Sequence, residues 1–183
     1  MRLLANTFAL VLLASGTALA QPATTAPDWS LESADGEMVR LGDEIQQQPV
    51  ILFFWATWCP YCKALMPHLQ SLRLEYADEV KILAINFREN GDPVAFIKDA
   101  GYDFTVLPDG DEVAADYGVF GTPGVIIVDQ HQIIRFDLRA LPKLELPPSD
   151  KPAGNSRKAA YLAPYWAAAI RVSIDQVQSE STQ

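Results

Sequence analysis

Cysteine is nearly absent from this sequence, since Cys59 and Cys62 are the only two among 183 residues. A pair this close together forms no framework of structural disulfides across a chain. Histidine is equally scarce, with His68 and His131 alone. A zinc ion held by the two cysteines would need two further ligands, or one and an open position. Because His68 lies in a predicted helix and His131 in a predicted turn, we predict no metal site.

Basic residues are also few: 14 Lys and Arg stand against 23 Asp and Glu, a formal net charge of −9. This balance argues against binding to nucleic acid or to an anionic membrane surface. Internal repeats and low-complexity tracts are missing as well. A length of 183 residues predicts one domain with a substantial core and some appendages.

Residues 1–20 have the form of a secretory signal peptide. Arg2 is a short basic start, residues 3–13 are mostly apolar, and residues 18–20 provide a small-x-small cleavage site. The apolar segment is shorter than the about 20 residues that span a bilayer. We expect cleavage and a periplasmic or secreted protein; the alternative is an uncleaved segment that anchors the chain. Residues 21–27 should form a disordered or extended lead.

The two cysteines lie where a predicted strand passes into a predicted helix. Val50–Trp55 is an unbroken apolar run, typical of a strand buried on both faces. Pro60 suits the first turn of a helix, and apolar residues then recur at helical spacing up to Tyr76. Free N–H groups and the dipole at a helix start stabilise a thiolate. The stretch therefore predicts thiol–disulfide exchange, with Cys59 as the exposed nucleophile and the buried Cys62 resolving the mixed disulfide.

Two motifs carry a resemblance to a known family. Trp58-Cys59-Pro60-Tyr61-Cys62, with Pro67 in the following helix, resembles the thioredoxin superfamily. Phe54-Trp55-Ala56-Thr57-Trp58-Cys59 and the region before it look most like its extracytoplasmic TlpA/ResA branch. Gly121-Thr122-Pro123-Gly124, followed by an apolar run, resembles the cis-proline segment of that superfamily. The order of the two motifs makes the resemblance specific. It covers residues 28–138.

The resemblance implies an α/β thioredoxin fold, in which helices flank a central mixed sheet, with an additional N-terminal β-hairpin turning at Asp35-Gly36. It also implies a cis bond before Pro123 and a substrate that pairs with the backbone of Thr122. Trp58, Pro60 and Tyr61 complete the substrate-binding residues implied for this chain.

Beyond the thioredoxin-like region the composition changes. Residues 139–155 are rich in proline and predict a linker. Residues 156–178 return to helical spacing, with Leu162, Trp166, Ile170 and Ile174 on one stripe, and Pro164 should kink or restart the helix. We expect this extra C-terminal helix to cover a face of the sheet; the alternative is a helix that recruits a partner. Residues 179–183 form a tail.

Two positions depart from the family pattern. Thioredoxins carry an acid six residues before the first cysteine, where this chain has Phe53, and ResA-like proteins carry a glutamate six residues after it, where Leu65 stands. A buried thiol without a proton acceptor keeps its proton, because desolvation raises its pKa. Either another acid approaches Cys62 or resolution of the mixed disulfide is slow.

The predicted function is thiol–disulfide exchange with exported proteins, and the resemblance to the TlpA/ResA branch implies a reductase. The partners expected are protein thiols and disulfides and a membrane electron donor that re-reduces the chain, which should act as a monomer without a cofactor. A Cys-Pro-Tyr-Cys sequence is also found in glutaredoxins, so the reduction potential is expected nearer about −200 mV than thioredoxin's about −270 mV.

Several alternatives compete with this function. A dithiol oxidase or isomerase would use the same cysteines. A copper-binding chaperone on a similar fold typically has C-x-x-x-C spacing and a distant histidine, and a redox-inert adaptor would act through its C-terminal helix. A peroxidase of the P-x-x-x-T-x-x-C type is excluded, because Leu52 and Ala56 replace its proline and threonine.

Overall fold

A mixed sheet of five strands forms the centre of the molecule, seen in a computed structural model that describes residues 24–148 and 154–181. A two-stranded hairpin precedes it in the chain. The predicted signal peptide, residues 1–20, lies outside the described residues. In chain order the strands are β1 (Ser30–Glu32), β2 (Met38–Arg40), β3 (Val50–Trp55), β4 (Lys81–Asn86), β5 (Thr105–Leu107), β6 (Gly124–Val128) and β7 (Ile134–Asp137).

Five α-helices lie among the described residues, and two short 3-10 turns, Ala77–Glu79 and Leu138–Ala140, accompany them. Asp92 caps one of these helices, because its side chain accepts the N–H of Ala95. The helices are α1 (Leu41–Ile45), α2 (Pro60–Tyr76), α3 (Pro93–Ala100), α4 (Asp111–Asp116) and α5 (Asn155–Ser181).

The sheet has the strand order β5-β4-β3-β6-β7. Strands β3, β4 and β5 are parallel, and β6 runs antiparallel to β3 and to β7. Together with the β1–β2 hairpin and the additional helix α5, this is the thioredoxin-type architecture that the sequence predicts.

The side chains of β3 divide the core into two clusters, because successive side chains of a strand point to opposite faces of the sheet. All six of its side chains are fully buried. Ile51, Phe53 and Trp55 pack with residues of α2, α3 and α5 on one face. Leu52 and Phe54 pack with the hairpin, α1 and α4 on the other. The redox motif belongs to the first face, since α2 begins there.

The N-terminal lead is extended where the structure describes it, at residues 24–27, which is one of the two conformations that the sequence predicts. Thr25 bridges to Ile133, and the N–H of Ala26 donates to the carbonyl of Gln132 at 2.8 Å. The Ala26 side chain is buried. This segment is therefore extended and paired with the β6–β7 turn.

Helix α5 packs beside α2 and against β7, so it completes the layer over one face of the sheet as predicted. Pro164 lies within one continuous helix and does not restart it, and residues 179–181, predicted as a tail, belong to it. Its buried stripe differs from the predicted one, because small side chains let two helices approach closely. Leu162 and Trp166 are only half-buried, and the buried stripe is Ala159, Ala163, Ala167, Ile170, Ile174 and Val177.

The predicted linker is shorter than the sequence suggests. Residues 138–140 form a 3-10 turn, residues 141–148 lack regular structure, and Asn155 already begins α5. Within the described ranges, no helix combines the length and apolar character needed to cross a bilayer.

The burial of α5 predicts a large stability contribution from Ile170. Replacing Ile170, which is fully buried, by alanine should lower the free energy of unfolding by about 2–4 kcal/mol, because it leaves a cavity between α5 and α2. Val172 is 55% exposed on the same helix, and Val172→Ala should change it by less than about 0.5 kcal/mol. Urea unfolding measures both; equal losses would show that α5 is not part of the core.

Candidate active site

Three loops meet at one end of β3 because of the strand register. Trp55, the last residue of β3, pairs with Asn86, the last residue of β4. Strand β6 runs the other way, so its first residue, Gly124, pairs with Phe54. The loops that follow β3 and β4 and the loop that precedes β6 therefore lie side by side.

The cysteine pair lies at the start of α2, joined as a disulfide with 5.3 Å between the Cα atoms. Cys59 occupies the N-cap position, where serine or aspartate is usual, and its Sγ accepts the N–H of Cys62 at 3.0 Å. Pro60 fills the first turn, where an N–H would have no partner within the helix. When the disulfide is reduced, the same N–H and the helix dipole stabilise a Cys59 thiolate.

The prediction that Cys59 is the exposed cysteine is wrong for the disulfide form. Cys59 is 1% exposed and Cys62 0%. Both belong to the core cluster that contains Trp55, Leu65 and Val125. The strand brings the helix start so close to the sheet that the sulfur atoms are covered, which residue order alone could not show. The cysteines therefore differ by position in α2 rather than by exposure.

The predicted substrate-binding residues surround this buried pair at the surface. Trp58 is 48% exposed, and its indole N–H donates to the carbonyl of Arg88 at 2.8 Å. Pro60, Tyr61, Thr122 and Pro123 are each half-buried. These five residues form an accessible rim around the cysteine pair, which we call the Cys59 rim.

The bond between Thr122 and Pro123 is cis, as predicted. Gly124 follows immediately, and a Cβ there would lie 2.8 Å from Cγ1 of Val119 and 3.2 Å from Cβ of Phe54. Glycine is required at this position because β6 passes so close to its neighbours. The register places Pro123 level with the end of β3, where the redox loop begins.

Arg88 connects the three loops, and sequence reasoning missed it. Its backbone lies in the left-handed region, with φ 52°. Its N–H donates to the Asp111 carboxylate at 3.3 Å, its guanidinium donates to the carbonyl of Phe120 at 2.8 Å, and its own carbonyl accepts from Trp58. No local sequence pattern marks such a residue, because each partner is distant in the chain.

Glu89 holds the segment that leads to Cys59, and it too was missed. Its carboxylate accepts the backbone N–H of Thr57 at 2.7 Å and the Thr57 hydroxyl at 2.6 Å. Asn86 donates to it at 2.8 Å, as do the N–H groups of Asn90 and Gly91. Gly91 permits this approach, since a Cβ there would lie 2.7 Å from Oγ1 of Thr57. The only sequence signal was the turn-forming Asn-Gly after Glu89.

These hydrogen bonds set the charge of Glu89. Partial burial alone would raise its pKa, but the bonds from Thr57, Asn86 and Asn90 outweigh burial and lower the pKa from the usual 4.5 to about 2. Glu89 is therefore a permanent anion at neutral pH. Its carboxylate binds Thr57 and the amides of its own loop. The two positions where the family would place an acid are occupied by Phe53 and Leu65, which are fully buried and apolar.

The histidines lie apart from the cysteines in the fold, His68 on α2 and His131 in the β6–β7 turn. Within residues 24–148 and 154–181, no cluster of three or more His, Cys, Asp or Glu side chains has the arrangement of a metal site.

A cysteine pair at the start of a helix, carried by a sheet of this topology and facing a cis-proline loop, defines the thioredoxin superfamily. Its chemistry is the exchange of one disulfide for another. The chain is thus a thiol:disulfide oxidoreductase in its fold and in the chemistry of its site.

Comparison with known proteins narrows this class. The chain belongs to the AhpC/TSA family, whose sequence model matches residues 22–137. It is 35% identical over 119 residues to the thioredoxin-like protein YneN of Bacillus subtilis, covering 63% of this chain and 69% of YneN. It is 34% identical over 116 residues to the thiol-disulfide oxidoreductase ResA of Halalkalibacterium halodurans, covering 62% and 65%.

A solved structure gives the same assignment. The crystal structure of StoA from Bacillus subtilis aligns with a TM-score of 0.52 at 26% identity, covering 61% of this chain and 87% of StoA. The chain is therefore a TlpA/ResA-like member of the thioredoxin superfamily. The comparisons cover about two thirds of YneN and ResA, and α5 lies beyond the residues that the family description matches.

Replacing Glu89 by glutamine should destabilise the protein at neutral pH, by about 1–3 kcal/mol, because the loop amides lose a charged acceptor. The pKa of Glu89 is lower in the folded protein than in the unfolded chain, so its charge stabilises the fold above about pH 4.5. That stabilisation is lost as the pH falls from about 4.5 towards 2. The stability difference between wild type and Glu89→Gln should therefore shrink across this interval.

Chemical unfolding between pH 2 and 8 measures this difference. Glu112→Gln, on the exposed side of α4, is the matched control and should follow wild type throughout. A Glu89→Gln variant as stable as wild type at pH 7 would show that the carboxylate does not hold the loop.

Proposed function

We propose that this chain reduces disulfides in exported proteins, using the dithiol form of Cys59 and Cys62. The observation that carries the proposal is the N–H of Cys62 donating to the Sγ of Cys59 at the start of α2. This contact favours the thiolate that attacks a substrate disulfide. The export is supported by the form of residues 1–20.

The reaction proceeds in two displacements. The Cys59 thiolate attacks one sulfur of the substrate disulfide, forming a mixed disulfide and releasing the first substrate thiolate. Cys62 then loses its proton and attacks the Sγ of Cys59, releasing the second substrate thiolate and leaving the Cys59–Cys62 disulfide. Two electrons pass from the chain to the substrate, and a membrane-bound dithiol donor restores them.

The residues of the rim position the substrate. Trp58, Pro60 and Tyr61 lie on the helix side of the cysteines and Thr122 and Pro123 on the β6 side, so an extended substrate segment fits between them. The backbone of Thr122 offers hydrogen bonds to such a segment, as a short strand would. The chain acts as a monomer and needs no cofactor.

An isomerase or oxidase of exported proteins is the second candidate, favoured by the apolar Phe53 and Leu65. With apolar side chains at both usual positions of the acid, the mixed disulfide lives longer, because the resolving thiol keeps its proton. A long-lived mixed disulfide gives a substrate time to exchange its own cysteines.

Reduction of insulin with dithiothreitol as electron donor tests the reductase. Wild type should accelerate insulin precipitation, and Cys59→Ser should abolish the acceleration, because the attacking thiolate is lost. Cys62→Ser should accumulate the mixed disulfide with substrate, seen on non-reducing gels. Rapid rearrangement of a scrambled substrate without net reduction would assign isomerisation instead, and a copper titration of the reduced protein would reveal a chaperone.

Replacing Leu65 by glutamate should speed the second displacement at neutral pH. It places a proton acceptor near Cys62, so the thiolate fraction rises, and the rate of resolution should increase about threefold or more. Wild type should instead be slow at pH 7 and faster in alkali. The change should cost at least about 3 kcal/mol of stability, because Leu65 is fully buried.

Leu65→Gln is the matched control, because it buries a polar group of similar size that cannot take a proton. Stopped-flow measurement of mixed-disulfide resolution compares the three proteins. Equal rates for the glutamate and glutamine variants, with a flat pH profile in wild type, would show that another group already deprotonates Cys62.

A further inference from the structure

Trp58 and Tyr61, two aromatic residues of the redox motif, contact different parts of the fold. Trp58 is hydrogen-bonded to Arg88 in the loop after β4. Tyr61 lies against α5, with 6.2 Å between the centroids of its ring and that of Trp166. The Tyr61 hydroxyl lies 3.4 Å from Oδ1 of Asn155, the first residue of α5. Strands β4 and β7 lie on opposite sides of β3, and α5 packs on β7. The redox motif therefore borders α5 on the side where Tyr61 lies.

Trp166 also forms one wall of a groove of about 340 Å³ between α5 and the segment that follows β7. Arg139 and Lys143 contribute to the lining of this groove, which we name the α5 groove. Its apolar lining consists of Leu138, Leu141, Pro142, Leu144, Leu162 and Trp166.

The α5 groove presents apolar surface to solvent. Leu144 is 38% exposed, and Pro142 is exposed as well. Contiguous exposed apolar surface marks sites of protein interaction, and this surface adjoins the redox motif through Trp166. The residues that line the groove follow the region 22–137 that the family model matches.

We propose that the α5 groove binds an apolar stretch of the substrate polypeptide that flanks the cysteine attacked by Cys59. This inference rests on the proposed exchange with protein substrates. Its basis is the shared wall: Trp166 touches Tyr61 of the redox motif on one side and lines the groove on the other. A polypeptide that leaves the Cys59 rim past Tyr61 therefore meets the groove next.

The occupant is a substrate segment rather than a second copy of this chain for a geometric reason. A segment whose disulfide lies at Cys59 during the attack is confined near Tyr61, so its local concentration at the groove is high and weak apolar contacts are enough to hold it. Specificity then arises from the sequence beside the substrate cysteine.

Two synthetic peptides test this proposal. Each contains one cysteine as a mixed disulfide with 2-nitro-5-thiobenzoate; one carries leucine and phenylalanine on both sides of the cysteine, and the other carries serine and asparagine there. Stopped-flow absorbance follows thiobenzoate released by the reduced protein. Wild type should react with the apolar peptide about fivefold faster than with the polar one.

Leu144→Ser should reduce this preference to less than about twofold, because it removes an exposed apolar wall of the groove. Val172→Ser, an equally conservative change at an exposed position of α5 outside the groove, should keep the full preference. Hydroxyethyl disulfide is too small to reach the groove, and all three proteins should reduce it at the same rate.

The outcomes separate the two hypotheses. Failure to reduce hydroxyethyl disulfide would overturn the proposed function, whereas normal reduction with equal rates for the two peptides would overturn the groove alone. Equal effects of Leu144→Ser and Val172→Ser would also overturn it. A dimer in sedimentation that Leu144→Ser abolishes would assign the groove to a second copy and contradict the proposal.

Discussion

The complete burial of β3 is the constraint on which the rest of this structure depends. Its six side chains leave no face for water, so helices must cover the sheet on one side and the hairpin, α1 and α4 on the other. Because β3 is central and the register of β4 and β6 is set against it, three loops meet where it ends. The cysteine pair is placed by that meeting point.

Two electrostatic arrangements support the pair, and they act on different parts of it. At the start of α2, the N–H of Cys62 and the helix dipole favour charge on the sulfur of Cys59. Before the helix, the Glu89 carboxylate holds Thr57 and thereby the path of the chain into Cys59. Around Cys62, by contrast, Phe53 and Leu65 make the surroundings apolar. In the proposed reaction, this environment favours the first displacement more than the second.

Helix α5 adds to the thioredoxin-type unit without changing its sheet. Small residues such as Ala163 and Ala167 bring it close to α2, and the hydrogen bond between Tyr76 and Asp175, at 2.6 Å, joins the two helices farther along. Because the two helices lie so close together, Trp166 of α5 also contacts Tyr61 at the start of α2. One packing solution thus serves stability and shapes the rim of the redox site.

The sequence by itself determined the elements and the chemistry, because these depend on local patterns. The apolar run of β3, Pro60 in the first turn of α2 and the Thr122–Pro123 motif each have a signature within a few residues. The tertiary structure decided the burial of Cys59, the roles of Arg88 and Glu89, and the stripe that α5 buries. Each of these depends on groups that are far apart in the chain and meet only when strands pair and helices pack. Spacing along a sequence predicts which side chains share a face of a helix or strand, whereas the face that is buried depends on how closely another element approaches it.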